Sequence, residues 1–118
     1  MSYLTDLVVS QPTARKLKQA GFCFQNVFAE YRFNPEDGIG YIAERTLPRR
    51  KGWISTAAAP MTDEILEVLG YDTFVYHLAD REFQAHKGDQ VGPIRENRQE
   101  AAAELLLKIG KSLDKASM

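Results

Sequence analysis

The sequence predicts a two-layer α+β fold, three helices packed on an antiparallel sheet of about four strands, in the order α-β-β-α-β-β-α. Three observations carry this expectation. Residues 97–113 open with Asn97, have Glu100 three positions later, and then repeat Ala102, Leu105, Leu106, Ile109 and Leu113 along one helical face. Residues 71–78, YDTFVYHL, form the run richest in aromatic and β-branched side chains. The strand-like segments fall in adjacent pairs separated by turn residues, which favours hairpins over parallel crossovers.

Taken in order, residues 1–9 read as a short extended or frayed lead-in, with Leu4, Leu7 and Val8 available for packing. Ser10, with Pro12 in the first turn, starts a helix that runs to about Ala20 and stops at Gly21. Ala14, Leu17 and Ala20 are its apolar side, while Arg15, Lys16 and Lys18 face water. Val27, Ala29, Tyr31 and Phe33 then alternate with Phe28, Glu30 and Arg32, a period of two that predicts a strand. Asn34-Pro35-Glu36-Asp37-Gly38 turns it into a return strand over residues 39–44.

Residues 46–59 are the least regular stretch, with Pro48, Arg49, Arg50, Lys51 and Gly52 ahead of Trp53-Ile54 and three alanines. Pro60 and Thr62 announce a second helix with Asp63 and Glu64 in its first turn, Ile65, Leu66 and Leu69 inside, and Gly70 as its stop. In the strand that follows, Phe74, Tyr76 and Leu78 share one face and Thr73, Val75 and His77 the other. Residues 79–81 turn it back into residues 82–86, and 87–90 form another turn before a link, with a brief extended segment, to the last helix. Residues 115–118 are expected to fray. The pattern implies one domain over residues 1–118, with no repeat at the level of residues between 10–44 and 60–86.

The composition bounds the function classes. Fifteen basic residues balance sixteen acidic ones, so no strong overall field draws polyanions. Cys23 is the single cysteine, which rules out an intramolecular disulfide and suits a reducing compartment. The first residues lack a basic n-region, and no apolar run reaches the ~20 residues of a membrane span. A cytoplasmic, soluble protein without membrane contact is expected.

Candidate chemistry is sparse. His77, Asp80, Glu82 and His86 are ligand types within ten positions, but no pair has helical i, i+4 spacing, and no metal is expected. Cys23 lies between Phe22 and Phe24, next to a predicted helix C-terminus that disfavours a thiolate. Ser10, Ser55 and Ser112 lack a nucleophile-elbow signature, and Gly38-Ile39-Gly40 lacks the lysine and helix of a phosphate loop. No catalytic residue and no cofactor follow from the sequence.

Two binding surfaces remain. Arg45, Arg49, Arg50 and Lys51 lie close to Trp53 and Tyr41, a basic and aromatic mixture that can hold phosphates and stack on a base; Trp53-Ile54 can equally anchor the loop to the core. Tyr31, Tyr41, Tyr71, Tyr76 and Trp53 can also leave an aromatic patch or sheet edge for a protein partner or a second copy, a homodimer.

Thr13-Ala14 with Leu17-Lys18 and Ala20-Gly21-Phe22, Ala59-Pro60 with Thr62, Glu64-Ile65 and Leu69, and residues 100–106, EAAAELL, together give the chain a family likeness. It resembles a group of short uncharacterised proteins from phages, prophages and gut bacteria of the Bacteroidetes type. The resemblance implies an α+β fold and assigns no catalytic or binding residue. The expectation is therefore a non-enzymatic protein that acts through protein contacts, with nucleic-acid binding by Arg45, Arg49, Arg50, Lys51 and Trp53 as the alternative.

Overall fold

The computed structural model describes residues 4–22, 24 and 27–116, with side chains through residue 110. Cys23, and the side chains of Ser112 and Leu113, lie outside the described residues. The chain is α+β and divides into two compact units, Met1–Met61 and Thr62–Met118.

The first unit begins with a single helical turn, α1 (Leu4–Leu7), where an extended or frayed lead-in was expected. It forms because Leu4 and Val8 are both buried and a helical turn sets them on one side. Helix α2 (Gln11–Gln19) follows the expected course. Ser10 caps it by accepting from the Thr13 N–H, and Pro12 occupies the first turn. At its other end Gly21 takes φ 92°, its N–H meets the Lys18 carbonyl, and the Phe22 N–H reaches the Leu17 carbonyl. This αL ending folds Phe22 back toward Leu17, as such helix termini do. Thr13, Ala14 and Leu17 are buried, whereas Ala20 is exposed.

Strands β1 (Ala29–Asn34) and β2 (Ile39–Glu44) form the expected antiparallel hairpin. Asn34 organises its turn: its Oδ1 accepts from the Glu36 N–H, its Nδ2 donates to Asp37, and its carbonyl accepts from Gly38 at φ 68°. A third strand, β3 (Ile54–Ala59), pairs with the other edge of β1, giving the order β2-β1-β3. This corrects the reading of 46–59 as irregular. Alanine is a good helix former and a poor strand former, so nothing local marks Ala57, Ala58 and Ala59 as a strand. The open edge of β1 supplies the pairing, and the small side chains let α2 close on β3, where Lys18 Nζ donates to the Thr56 carbonyl at 2.7 Å. One face of this sheet packs Ala29 and Ala59 with Leu4 and Val8, and Tyr31, Ile42 and Met61 close around them.

The second unit holds α3 (Thr62–Leu69), β4 (Thr73–Ala79), β5 (Glu82–Lys87), β6 (Gln90–Val91) and α4 (Arg98–Ala116). The sheet order is β4-β5-β6, antiparallel throughout. Among the described residues there are therefore two three-stranded sheets and four helices, where one sheet of about four strands and three helices were expected. β6 is two residues long, the brief extended segment before the last helix, paired to the end of β5.

Helix α4 opens on the expected cap: the Glu100 N–H donates to Asn97 Oδ1 at 2.9 Å. It runs to Ala116, past the expected start of fraying. Ala101, Ala102, Ala103, Leu105, Leu106 and Leu107 are all buried, so the helix is enclosed around more of its circumference than one stripe. It packs on β5 with α3 beside it. Gly92 lies so close that a Cβ there would stand 3.3 Å from Leu105 Cβ and 3.5 Å from its Cα.

Candidate functional site

Two places bring chemistry-bearing side chains together, one in each unit. In the first unit, β1 alternation puts Glu30, Arg32 and Asn34 on the face opposite the core cluster, and that face is buried as well. Arg32 is 2 % exposed. Its Nε donates to Glu30 Oε2 at 2.8 Å, and its two terminal nitrogens donate to the carbonyls of Glu44, Arg45, Leu47 and Pro48, the Leu47 contact being 2.5 Å. One guanidinium thus holds the start of the β2–β3 connection through main-chain oxygens alone. The fork of donors on arginine suits several carbonyls at once, which a lysine ammonium does not.

Glu30 completes the network. Its Oε2 also accepts from Ser55 Oγ at 2.5 Å, and Arg45 Nε stands 4.0 Å from its Oε1. Burial alone would raise its pKa; the hydrogen bonds from Ser55 and Arg32, with the charges of Arg32 and Arg45, outweigh burial and hold the carboxyl below its ordinary value. Arg32 is raised, chiefly by its hydrogen bond to Glu30 and against burial.

The basic segment surrounds this network unevenly. Arg45 donates to the Phe24 carbonyl at 3.3 Å and keeps 42 % of its side chain exposed. Arg49 donates to Ser55 Oγ across a long 3.5 Å. Arg50 and Lys51 are exposed at the turn beyond. Trp53 is half-buried and meets Tyr41 edge-on, ring centroids 4.7 Å apart at 85°. Arg45 and Arg49 therefore come together over a common recess, which Arg32, Glu30 and Ser55 also line. The recess measures about 580 Å³, with Leu47 and Pro48 in its wall. An apolar groove of about 350 Å³ adjoins it, sharing Glu30, Arg45 and Ser55 and lined further by Leu17, Phe22 and Phe24.

Sequence reasoning did not single out Glu30 and Arg32, because alternation sets them on one face of a strand without saying what covers that face, and it considered Ser55 only as a nucleophile. The signal available was their opposite charge at positions i and i+2, which sets the two side chains on the same face of one strand.

In the second unit Phe74 and Tyr76, on one face of β4, and Leu78, at the register shift between His77 and Ala79, point outward, the three side chains being 58 %, 49 % and 52 % exposed. Register places His86 opposite Phe74 and Gln84 opposite Tyr76, and Val91, 37 % exposed, opposite His86. His86 packs edge-on against Tyr76 and shares a hydrogen bond with Gln84 Oε1. His77 is on the other face, stacked at 4.3 Å on Phe83, which Arg98 also covers. Strand alternation thus separates His77 and His86, and Asp80 and Glu82 are exposed around the turn. Of the five aromatics singled out in the sequence, Tyr31 donates to the Val9 carbonyl inside the first unit, Tyr41 is exposed and pairs with Trp53, Tyr71 is fully exposed ahead of β4, and Tyr76 belongs to the exposed face of β4.

Among the described residues no helix is long and apolar enough to cross a membrane. Comparison with known proteins finds no family model, no curated protein and no solved structure that matches this chain.

Proposed function

We propose that this protein is non-enzymatic and acts through protein–protein contacts made by the outer face and free edge of β4, with a second copy of the chain as the partner. The observation that carries this reading is the row Phe74, Tyr76 and Leu78, each about half exposed on an edge strand. From Thr73 to Ala79 the strand contains no Lys, Arg, Asp, Glu or Pro, the residues that commonly blunt an exposed edge. Antiparallel pairing of two β4 strands about a two-fold axis would occupy the unpaired backbone groups of both and join the two aromatic rows.

Magnitude sets the strength of such a dimer. Three half-exposed large side chains offer on the order of 300 Å², well under the ~800 Å² per partner of a standard interface. Main-chain pairing must supply the rest, so the dimer is weak and concentration-dependent. Sedimentation velocity over about 1–300 μM tests it, a span wide enough to reveal micromolar association. The wild type should sediment faster as concentration rises, and Tyr76→Asp should remain monomeric. Monomeric wild type throughout the range overturns self-association.

Nucleic-acid binding through Arg45, Arg49, Arg50, Lys51 and Trp53 is the second reading, supported by four exposed basic side chains on one connection. Trp53 is half-buried, which limits the ring surface it can offer a base. Arg50→Ala with Lys51→Ala should lower the salt slope of DNA or RNA binding by about 2, in proportion to the phosphates neutralised; an unchanged slope removes the tip of the connection from any such contact.

A further inference from the structure

We propose that the polar recess and the apolar groove of the first unit form one binding site for an organic phosphate monoester. The phosphate sits against Arg45 and Arg49, and the carbon body lies in the groove along Leu17, Phe22 and Phe24.

Charge selects the head group. Three guanidinium groups, those of Arg32, Arg45 and Arg49, line the recess against the single carboxylate of Glu30, leaving two positive charges in excess. A phosphate monoester carries about −1.5 to −2 at pH 7, whereas a diester carries about −1, so the monoester is the better match. The partners also have distinct tasks. Arg32 is committed to Glu30 and to carbonyls and acts from the floor as a fixed charge. Ser55 spends its proton on Glu30 and accepts from Arg49, so it positions Arg49 and is no donor to the ligand. Arg45 and Arg49 are the exposed guanidiniums that can offer charge-assisted hydrogen bonds at the mouth.

Shape selects the body. The recess and the groove share Glu30, Arg45 and Ser55, so a ligand bound at Arg45 has its remaining atoms directed either to solvent or along the groove. The αL ending of α2 places Phe22 there beside Leu17, and the Phe24 carbonyl is held by Arg45 itself. Together the two volumes fall in the range of ordinary small-molecule sites. A flat apolar or aromatic body, such as a nucleobase, suits two half-buried phenyl rings with the buried Leu17 beneath them.

Calorimetry with AMP, adenosine, phenyl phosphate and inorganic phosphate, and with one oligonucleotide bearing or lacking a 5′-phosphate, tests the site. AMP or phenyl phosphate should bind saturably, and inorganic phosphate and adenosine should each bind at least about tenfold more weakly. Arg49→Gln should weaken AMP or phenyl phosphate about tenfold, the scale of one lost charge-assisted hydrogen bond, and Arg50→Gln less than about twofold. Phe24→Ala should weaken the organic phosphates and leave inorganic phosphate unchanged. Arg49→Gln is the decisive variant, because Arg45→Gln also removes a contact to Phe24 and to Glu30. Response of the oligonucleotide only when 5′-phosphorylated identifies a polymer end as a second source of the same chemistry. The proposal is overturned by the absence of saturable binding of every phosphorylated probe, by adenosine binding as tightly as AMP, by equal binding of the two oligonucleotides, or by Arg50→Gln losing as much as Arg49→Gln.

Discussion

Arg32 Nε donates to Glu30 Oε2 at 2.8 Å, two positions away on the same face of β1, with the arginine side chain almost wholly buried. The pair joins a strand interior to the loop that follows the next strand, since the same guanidinium holds carbonyls 12 to 16 residues further on.

Removing one partner should therefore be costly. Arg32→Ala leaves Glu30 without its closest counter-charge and removes the guanidinium donor from the carbonyls of Arg45, Leu47 and Pro48, the Glu44 carbonyl keeping the Leu47 N–H. A loss of about 3–5 kcal/mol in unfolding free energy is expected, measured by urea denaturation. Arg32→Lys keeps the charge but not the fork, and should lose about 2 kcal/mol. A loss under about 1 kcal/mol for Arg32→Ala would contradict the structural role assigned to this side chain.

The pH dependence follows from the depressed Glu30 pKa. A carboxyl lowered in the folded state contributes stability that is complete above its unfolded value of ~4.3 and is lost as pH falls through the folded value. Arg32, raised further by its hydrogen bond to Glu30, loses its contribution only on the far alkaline side. Denaturation midpoints taken from neutral pH down through the carboxylate range should thus fall more steeply in the wild type than in Glu30→Gln, the two curves converging toward acid. Parallel curves would show that Glu30 contributes nothing to the acid limb.

Gly92 faces the backbone of α4, with Leu105 Cα and N both 3.5 Å from where a Cβ would lie. Because those atoms belong to a buried helix, Gly92→Ala should destabilise by about 1–3 kcal/mol, the range of overpacked cores. Thermal unfolding would show it, and an unchanged midpoint would mean that α4 shifts without cost.

At the start of the same helix, Asn97 supplies the acceptor for the Glu100 N–H. Asn97→Ala should cost about 1 kcal/mol and Asn97→Ser far less, since serine also caps. Equal losses for the two variants would locate the effect elsewhere.

The features legible in the sequence were those written in local chemistry. Ser10 with Pro12, Asn97 with Glu100, and Gly21 and Gly38 mark ends and turns through bonds made within a few residues, and in the β1–β2 hairpin β2 has its expected bounds while β1 begins at Ala29 instead of Val27 and extends through Asn34. The features missed depend on distant partners. Ala57, Ala58 and Ala59 are a strand only because β1 has an open edge, and Glu30 and Arg32 are buried only because residues 44–48 cross over them. Arg45 and Arg49 were identifiable as basic, but their convergence over Ser55 is tertiary. The exposed row on β4 was visible as a face, while which face turned outward was not.

The hold that Arg32 exerts on residues 44–48 is addressed to carbonyl oxygens, which every amino acid carries. The start of that connection is consequently held without reference to which side chains it displays. Leu47 can be exchanged, and the tip at Arg50 and Lys51 can drift in charge and size, without disturbing the pin beneath them, whereas Arg45 is tied to Glu30 and to the Phe24 carbonyl. Selection is then free to rewrite the surface of this connection rapidly, while Arg32 and Glu30 themselves are held in place.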